Sequence, residues 1–196
     1  MAVPNPLYVD SDPPSDDTKV LVLLESRADL LALIAKNIPN IIARIHAILE
    51  AHGKKPEEVS LQIGIYGDYK NGKENVYKNS SWESTADNLV TFMGTEEVKE
   101  NNCKGAVELA LDHAVRLQGL TQIILIGATA PTPQDQLSYK LTFNHGLDYW
   151  KEACPDLTHA SDYLSILSQK RVKISTIHMD ADAKEEFEKM GDNTGA

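Results

Sequence analysis

Five consecutive apolar residues, Val20 to Leu24, run without alternation into a polar cluster formed by Glu25, Ser26, Arg27 and Asp29. An unbroken Val/Leu run is the pattern of a strand covered on both faces, as in a parallel sheet between helix layers. From Leu30 the spacing turns helical. Leu30, Ile34, Ile38, Ile41, Ile42, Ile45, Ile48 and Leu49 recur at intervals of three and four, which predicts an amphipathic helix to about Ala51. Pro39 inside this pattern predicts a kink or two abutting helices. His52–Gly53 and Pro56 close the helix.

The same logic places the remaining elements. Leu61 to Tyr66 (LQIGIY) reads as a second strand ending at Gly67–Asp68, and Val76 to Trp82 alternates like an edge strand. Ser84 to Met93 reads as a short helix, with Ser84 and Asp87 at capping-box spacing. Lys104 to Leu117 is the most regular helical stretch, preceded by Asn101–Asn102 and stopped by Gly119. Gln122 to Ile126 is a third buried strand leading into Gly127–Ala128–Thr129–Ala130–Pro131. Thr158 or Ser161 can cap a helix running to Arg171. Val172 to Met179 is the last strand, and Ala183 to Met190 a closing helix.

Repeated strand–helix alternation with unalternated strands predicts a Rossmann-like α/β fold, a mostly parallel central sheet with helices on both faces. In such sheets binding sites form at the carboxyl ends of the strands. Residues 1–17, rich in proline and aspartate, read as a flexible arm whose one hydrophobic group is Leu7–Tyr8–Val9. The domain itself spans 18–196. Residues 131–160, punctuated by prolines and aromatic residues, read as an irregular insertion long enough to carry function.

Composition narrows the partners. A net charge of −10 with scattered Lys and Arg speaks against a nucleic-acid or anionic-membrane surface. The start lacks the basic and apolar regions of a secretory signal, and no apolar run approaches the ~18 residues of a membrane span. Cys103 and Cys154 show no metal spacing and read as reduced thiols of an acidic, cytoplasmic protein, with a disulfide between them as the alternative. No GxGxxG follows the first strand, and no P-loop, nucleophile elbow or zinc spacing occurs. His46, His52 and His113 read as ordinary helix histidines.

Read in order, VLVLLESRAD, NIPNIIARI, LQIGIYGDY, NNCKGAVELAL, IILIGATAP, VKISTIHM and FEKMGDNTG resemble a von Willebrand factor A domain. They are most similar to the divergent intracellular branch found beside α-kinase-like proteins, and the resemblance covers about residues 18–196. It implies a Rossmann-like sheet and binding of a protein partner, in the family often through Mg²⁺ or Mn²⁺ in a metal-ion-dependent adhesion site at the strand ends. A further short strand often follows the last of these blocks in the family, which leaves open whether the chain is a fragment of a larger protein.

The family's metal pattern is DxSxS after the first strand, a Thr or Asp before the middle helix and an Asp after the fourth strand. Carried over, these positions fall on Glu25, Arg27, Asp29, Asn102 and Thr129 (or its neighbour Ala128), and none keeps the preferred residue. Mg²⁺ wants an octahedron of hard oxygens. Arg27 offers donors only and repels a cation. The expectation is therefore that Arg27 replaces the metal, pairing with Glu25 or Asp29, and that no cofactor is bound. In the alternative, Glu25, Asp29, Asn102 and Thr129, with Asp68 nearby, still hold Mg²⁺ or Mn²⁺. Arg27, Asp68, Tyr139, Phe143 and Trp150 are the candidates for partner contact, since aromatic residues anchor interfaces; the aromatic residues can equally be the insertion's own small core. The leading function is a non-enzymatic protein–protein interaction domain with a degenerate adhesion site. The alternative is a Rossmann-like enzyme or small-ligand binder using the acidic strand-end edge.

Overall fold

The computed structural model describes residues 18–95 and 105–192. Strand β1 (Thr18–Glu25) leads into helix α1 (Ala28–Ala51), followed by β2 (Val59–Tyr66) and the short β3 (Tyr77–Asn79). Helices α2 (Ala86–Thr95) and α3 (Val107–Arg116) precede β4 (Leu120–Gly127). Helices α4 (Gln134–Phe143), α5 (Leu147–Ala153) and α6 (Ala160–Gln169) lead to β5 (Lys173–His178) and α7 (Ala181–Asp192). The sheet order is β3-β2-β1-β4-β5. Its four long strands are parallel, and β3 alone pairs antiparallel, at the β2 edge.

β1 sits at the centre because its unalternated run can be buried on both faces. Leu21 and Leu23 join a core with α3, α6 and α7, while Leu24 joins a second core with α1 and α2. Helices thus cover both faces of a Rossmann-like sheet. At one face β4 supplies Ile123 and Leu125; at the other it supplies Ile124 and Ile126.

Three local expectations are revised. α1 runs unbroken through Pro39 for 24 residues, neither split nor paired. Pro39 and its neighbour Asn40 are exposed there, so tertiary packing on either side of the proline holds the helix together. Residues 131–160 are not irregular: α4 and α5 occupy them, joined by a tight turn in which His145 (φ 74°) and Gly146 (φ 96°) take left-handed backbone. The N-cap of α6 is His159, whose side chain accepts from the Ser161 amide, while Thr158 pairs instead with Asp162. The expected helix start at Lys104, like Asn101, Asn102 and Cys103, lies outside the described residues.

α1 is also, by length and composition, the one described helix apolar enough to cross a membrane, a test that core helices pass as well. Here it lies along the sheet, with Leu30, Leu31, Ile38 and Ile42 buried.

Candidate functional site

Side-chain alternation brings three residues into one row at the carboxyl end of the sheet. Glu25 follows Leu21 and Leu23 on the face toward α3, paired in register with Tyr66 of β2. Leu24 pairs with Ile126, so Gly127 stands on the other side of Glu25. The row is closely fitted. A Cβ on Gly127 would collide with the Tyr66 hydroxyl and lie 3.0 Å from Glu25 Oε2, so only glycine leaves room for both side chains.

The Glu25 carboxylate is 2% exposed and fully engaged by the loop after β4. The Ala128 amide donates to Oε2 at 2.5 Å, and the Thr129 hydroxyl donates to Oε1 at 2.5 Å. Charge-assisted bonds to both oxygens are what a buried carboxylate needs. Arg27, the N-cap of α1, makes a bidentate pair with Asp29, Nε–Oδ1 at 3.2 Å and Nη2–Oδ2 at 3.0 Å. Asp29 also accepts from the Leu30 amide at 2.9 Å, where an acid suits the helix amino terminus. The hydrogen bond from Arg27, then that from the Leu30 amide, holds the Asp29 carboxyl below its usual range. The pair is exposed, 38% and 61% for the two side chains.

A second buried acid sits behind this row. Glu108, fully buried in the first turn of α3, accepts from the Tyr69 hydroxyl at 2.9 Å and from the Thr132 amide at 2.5 Å. It ties the loops after β2 and β4 together, and no sequence motif announced it. Its signal was only an acid at the start of an apolar helix. Asp68 is buried at the same edge and caps the turn after β2 through the Lys70 amide at 3.0 Å. Among the described residues, the Tyr66 hydroxyl and Asp68 Oδ2 are buried without a hydrogen-bond partner. Burial, followed by the charges of Glu25 and Glu108, pushes the Tyr66 hydroxyl well above its usual pKa.

The remaining candidates separate. The α4–α5 pair is tied to the strand-end loops: the Lys73 amide donates to the Tyr149 hydroxyl at 2.7 Å, and the Lys140 ammonium lies 4.9 Å above the Tyr69 ring while donating to Thr132 Oγ1 at 3.2 Å. On its outer side Tyr139 and Phe143, 73% and 77% exposed, stack with ring centroids 6.3 Å apart. Trp150 does not join them. It is 1% exposed and packs edge-on against Tyr69 and Tyr149, with its indole N–H on the Asn144 carbonyl, which makes it core rather than contact surface. His113 is likewise structural, buried and bonded to Gln62 at 3.0 Å.

Of the candidate metal ligands, Glu25 and Thr129 therefore meet, bonded to each other, while Asp29 faces Arg27 instead. Asn102 lies outside the described residues. Among the described residues no group of three or more His, Cys, Asp or Glu side chains is arranged to hold a metal ion.

No family model matches the chain, and no curated sequence relative matches it. Among solved structures, it is similar to the pilus adhesin SpaC from Lactobacillus rhamnosus GG. One crystal form superposes with a TM-score of 0.54 at 10% identity, covering 94% of this chain and 28% of the adhesin. The open conformation gives a TM-score of 0.43 at 10% identity over 60% of this chain and 16% of the adhesin. The chain thus spans under a third of the adhesin's length. At this identity the likeness is one of fold alone, a mostly parallel sheet flanked by helices.

Proposed function

We propose that this chain is a divergent von Willebrand factor A domain that binds a protein partner without a bridging metal, through its strand-end edge and the outer face of α4. The observation that carries the reading is the stacked Tyr139–Phe143 pair. Two large aromatic side chains more than 70% exposed, side by side on a rigid helix, are the kind of anchor that protein interfaces use. α4 is fixed to the strand-end loops through Lys140, so the pair and the Arg27–Asp29 pair belong to one end of the molecule.

The proposed absence of metal rests on the donor set. In a metal-ion-dependent site the leading carboxylate faces outward with an oxygen left for the cation. Here both Glu25 oxygens accept protein donors, and the next position is a guanidinium. At the edge stands instead the Arg27–Asp29 ion pair, whose remaining guanidinium N–H groups suit a carboxylate or carbonyl acceptor on the partner. A second reading, a small-ligand binder, draws support from the unpartnered Tyr66 hydroxyl and Asp68 Oδ2.

The test is affinity capture with the full chain in EDTA, comparing wild type with Tyr139→Ser/Phe143→Ser and with Arg27→Ala. A protein retained by wild type and lost from both variants, while their melting temperatures hold, is the expected result. A capture profile identical for all three baits overturns the reading.

A further inference from the structure

One half of a sheet face is only partly covered. α1 and α2 lie over β1 and β2 on their side and reach Ile124 and Ile126 of β4, but among the described residues no helix core includes β5 there. The result is an apolar groove of about 500 Å³ along α1, between Ile38 and Ile45 on one wall and Ile124, Ile126 and Ile177 on the other. Ile177 is 51% exposed, and Ile41 and Ile48 on the flank of α1 are 41% and 58% exposed. Parallel sheets are normally covered on both faces, so this surface calls for an occupant.

We propose that the occupant is the chain's own amino-terminal arm, with Leu7–Tyr8–Val9 seated in the groove. Three observations favour it over another molecule. Thr18, the first described residue, itself lines the groove, so the arm leaves from the groove wall. The eight residues 10–17 reach about 25 Å at ~3.1 Å per residue in a proline-rich extended chain. The groove follows β1 from Thr18 toward its far end, roughly 20 Å at ~3.3 Å per residue, so every part of it lies within reach. Charge is complementary too. Lys173, exposed on β5, pairs in register with the groove residue Gln122 at the same end of the sheet as Thr18. Asp16 and Asp17 immediately precede Thr18. The four prolines of the arm remove backbone donors, which suits burial of side chains rather than addition of a strand.

The full chain, labelled with ¹³C at the isoleucine δ1 methyls, tests this against Leu7→Asp/Tyr8→Ser/Val9→Asp. The substitutions fall at positions 7–9, before the described residues, and unchanged amide spectra away from the groove check that the variant keeps its fold. The expected result is contacts between the Tyr8 ring and the Ile124 and Ile126 methyls that are lost in the variant, with shifts confined to groove methyls. Superimposable methyl spectra overturn the proposal. So do contacts that appear only between differently labelled molecules and grow with concentration, because the groove is then the seat of a second copy.

Discussion

Glu25→Ala is the perturbation that reads the strand-end row most directly. It removes the acceptor of two charge-assisted hydrogen bonds and leaves the Ala128 amide and Thr129 hydroxyl, both part-buried, without their partner. Bonds to charged groups contribute about 1.5–3 kcal/mol each, so the gross loss is about 3–6 kcal/mol. Removing a buried charge returns part of this, since its desolvation no longer opposes folding. A net loss of about 2–4 kcal/mol follows, or roughly 4–16 °C in melting temperature at the ~2–4 °C per kcal/mol expected for a domain of this size. Thr129→Val removes one donor and should cost about half as much. The assay is guanidinium unfolding at constant m-value with calorimetric melting, each run in EDTA and in excess Mg²⁺. A metal site predicts something different. Saturating Mg²⁺ at a hundredfold its dissociation constant would stabilise wild type by about 2.7 kcal/mol, and Glu25→Ala would abolish that gain. A loss below about 0.5 kcal/mol in Glu25→Ala would refute the claim that the loop after β4 holds this carboxylate.

Three further outcomes follow from the same geometry. Gly127→Ala should destabilise by about 1–3 kcal/mol, because the new Cβ meets the Tyr66 hydroxyl and Glu25; Tyr66→Phe, nearly neutral alone because that hydroxyl lacks a partner, should recover part of the loss in a double-mutant cycle by urea unfolding. The buried hydroxyls of Tyr66, Tyr69, Tyr77 and Tyr163 are raised above the usual tyrosine value, chiefly by burial, so their contribution is complete below the unfolded value of ~10 and is lost as pH climbs beyond it. Ultraviolet titration should therefore leave four of the seven tyrosines silent until alkaline unfolding, and smooth titration of all seven near pH 10 would contradict the core packing. The Asp29 carboxyl is held low by Arg27, so its small stabilisation, about 0.5 kcal/mol for an exposed pair, is present above ~pH 4 and fades as pH falls through the lowered value; equal acid sensitivity in Arg27→Ala would show that the pair contributes nothing.

The sheet was legible because its two central strands, β1 and β4, carry uninterrupted apolar runs, and the topology followed from helices falling between strands. β1, β2, β4 and β5 lie where Val20–Leu24, Leu61–Tyr66, Gln122–Ile126 and Val172–Met179 placed them. The α4–α5 region was not, because α4 buries only Leu137 and Leu141 in ten residues and so carries almost no helical stripe. Pro39 misled for the opposite reason: a local rule about prolines was overruled by packing along a 24-residue helix. At the site, the strand-end positions of Glu25 and Thr129 were readable, but not that the loop after β4 would bond directly to the carboxylate. The Ala128 amide has no side-chain signature, and Glu108 looks in sequence like any first-turn acid. Trp150 shows the same limit. Aromatic identity alone does not separate an interface anchor from a core residue, and its burial came from contacts with Tyr69 and Tyr149, 81 residues away and one residue away in the chain.

Calorimetric titration of Mg²⁺ and Mn²⁺ into the full chain, with Glu25→Ala as its control, bears most directly on the proposal that this edge works without a metal. The account predicts no saturable heat for either ion and no difference between the two proteins. Saturable binding to wild type that disappears in Glu25→Ala would contradict it, returning the strand-end carboxylate to the role of a metal ligand.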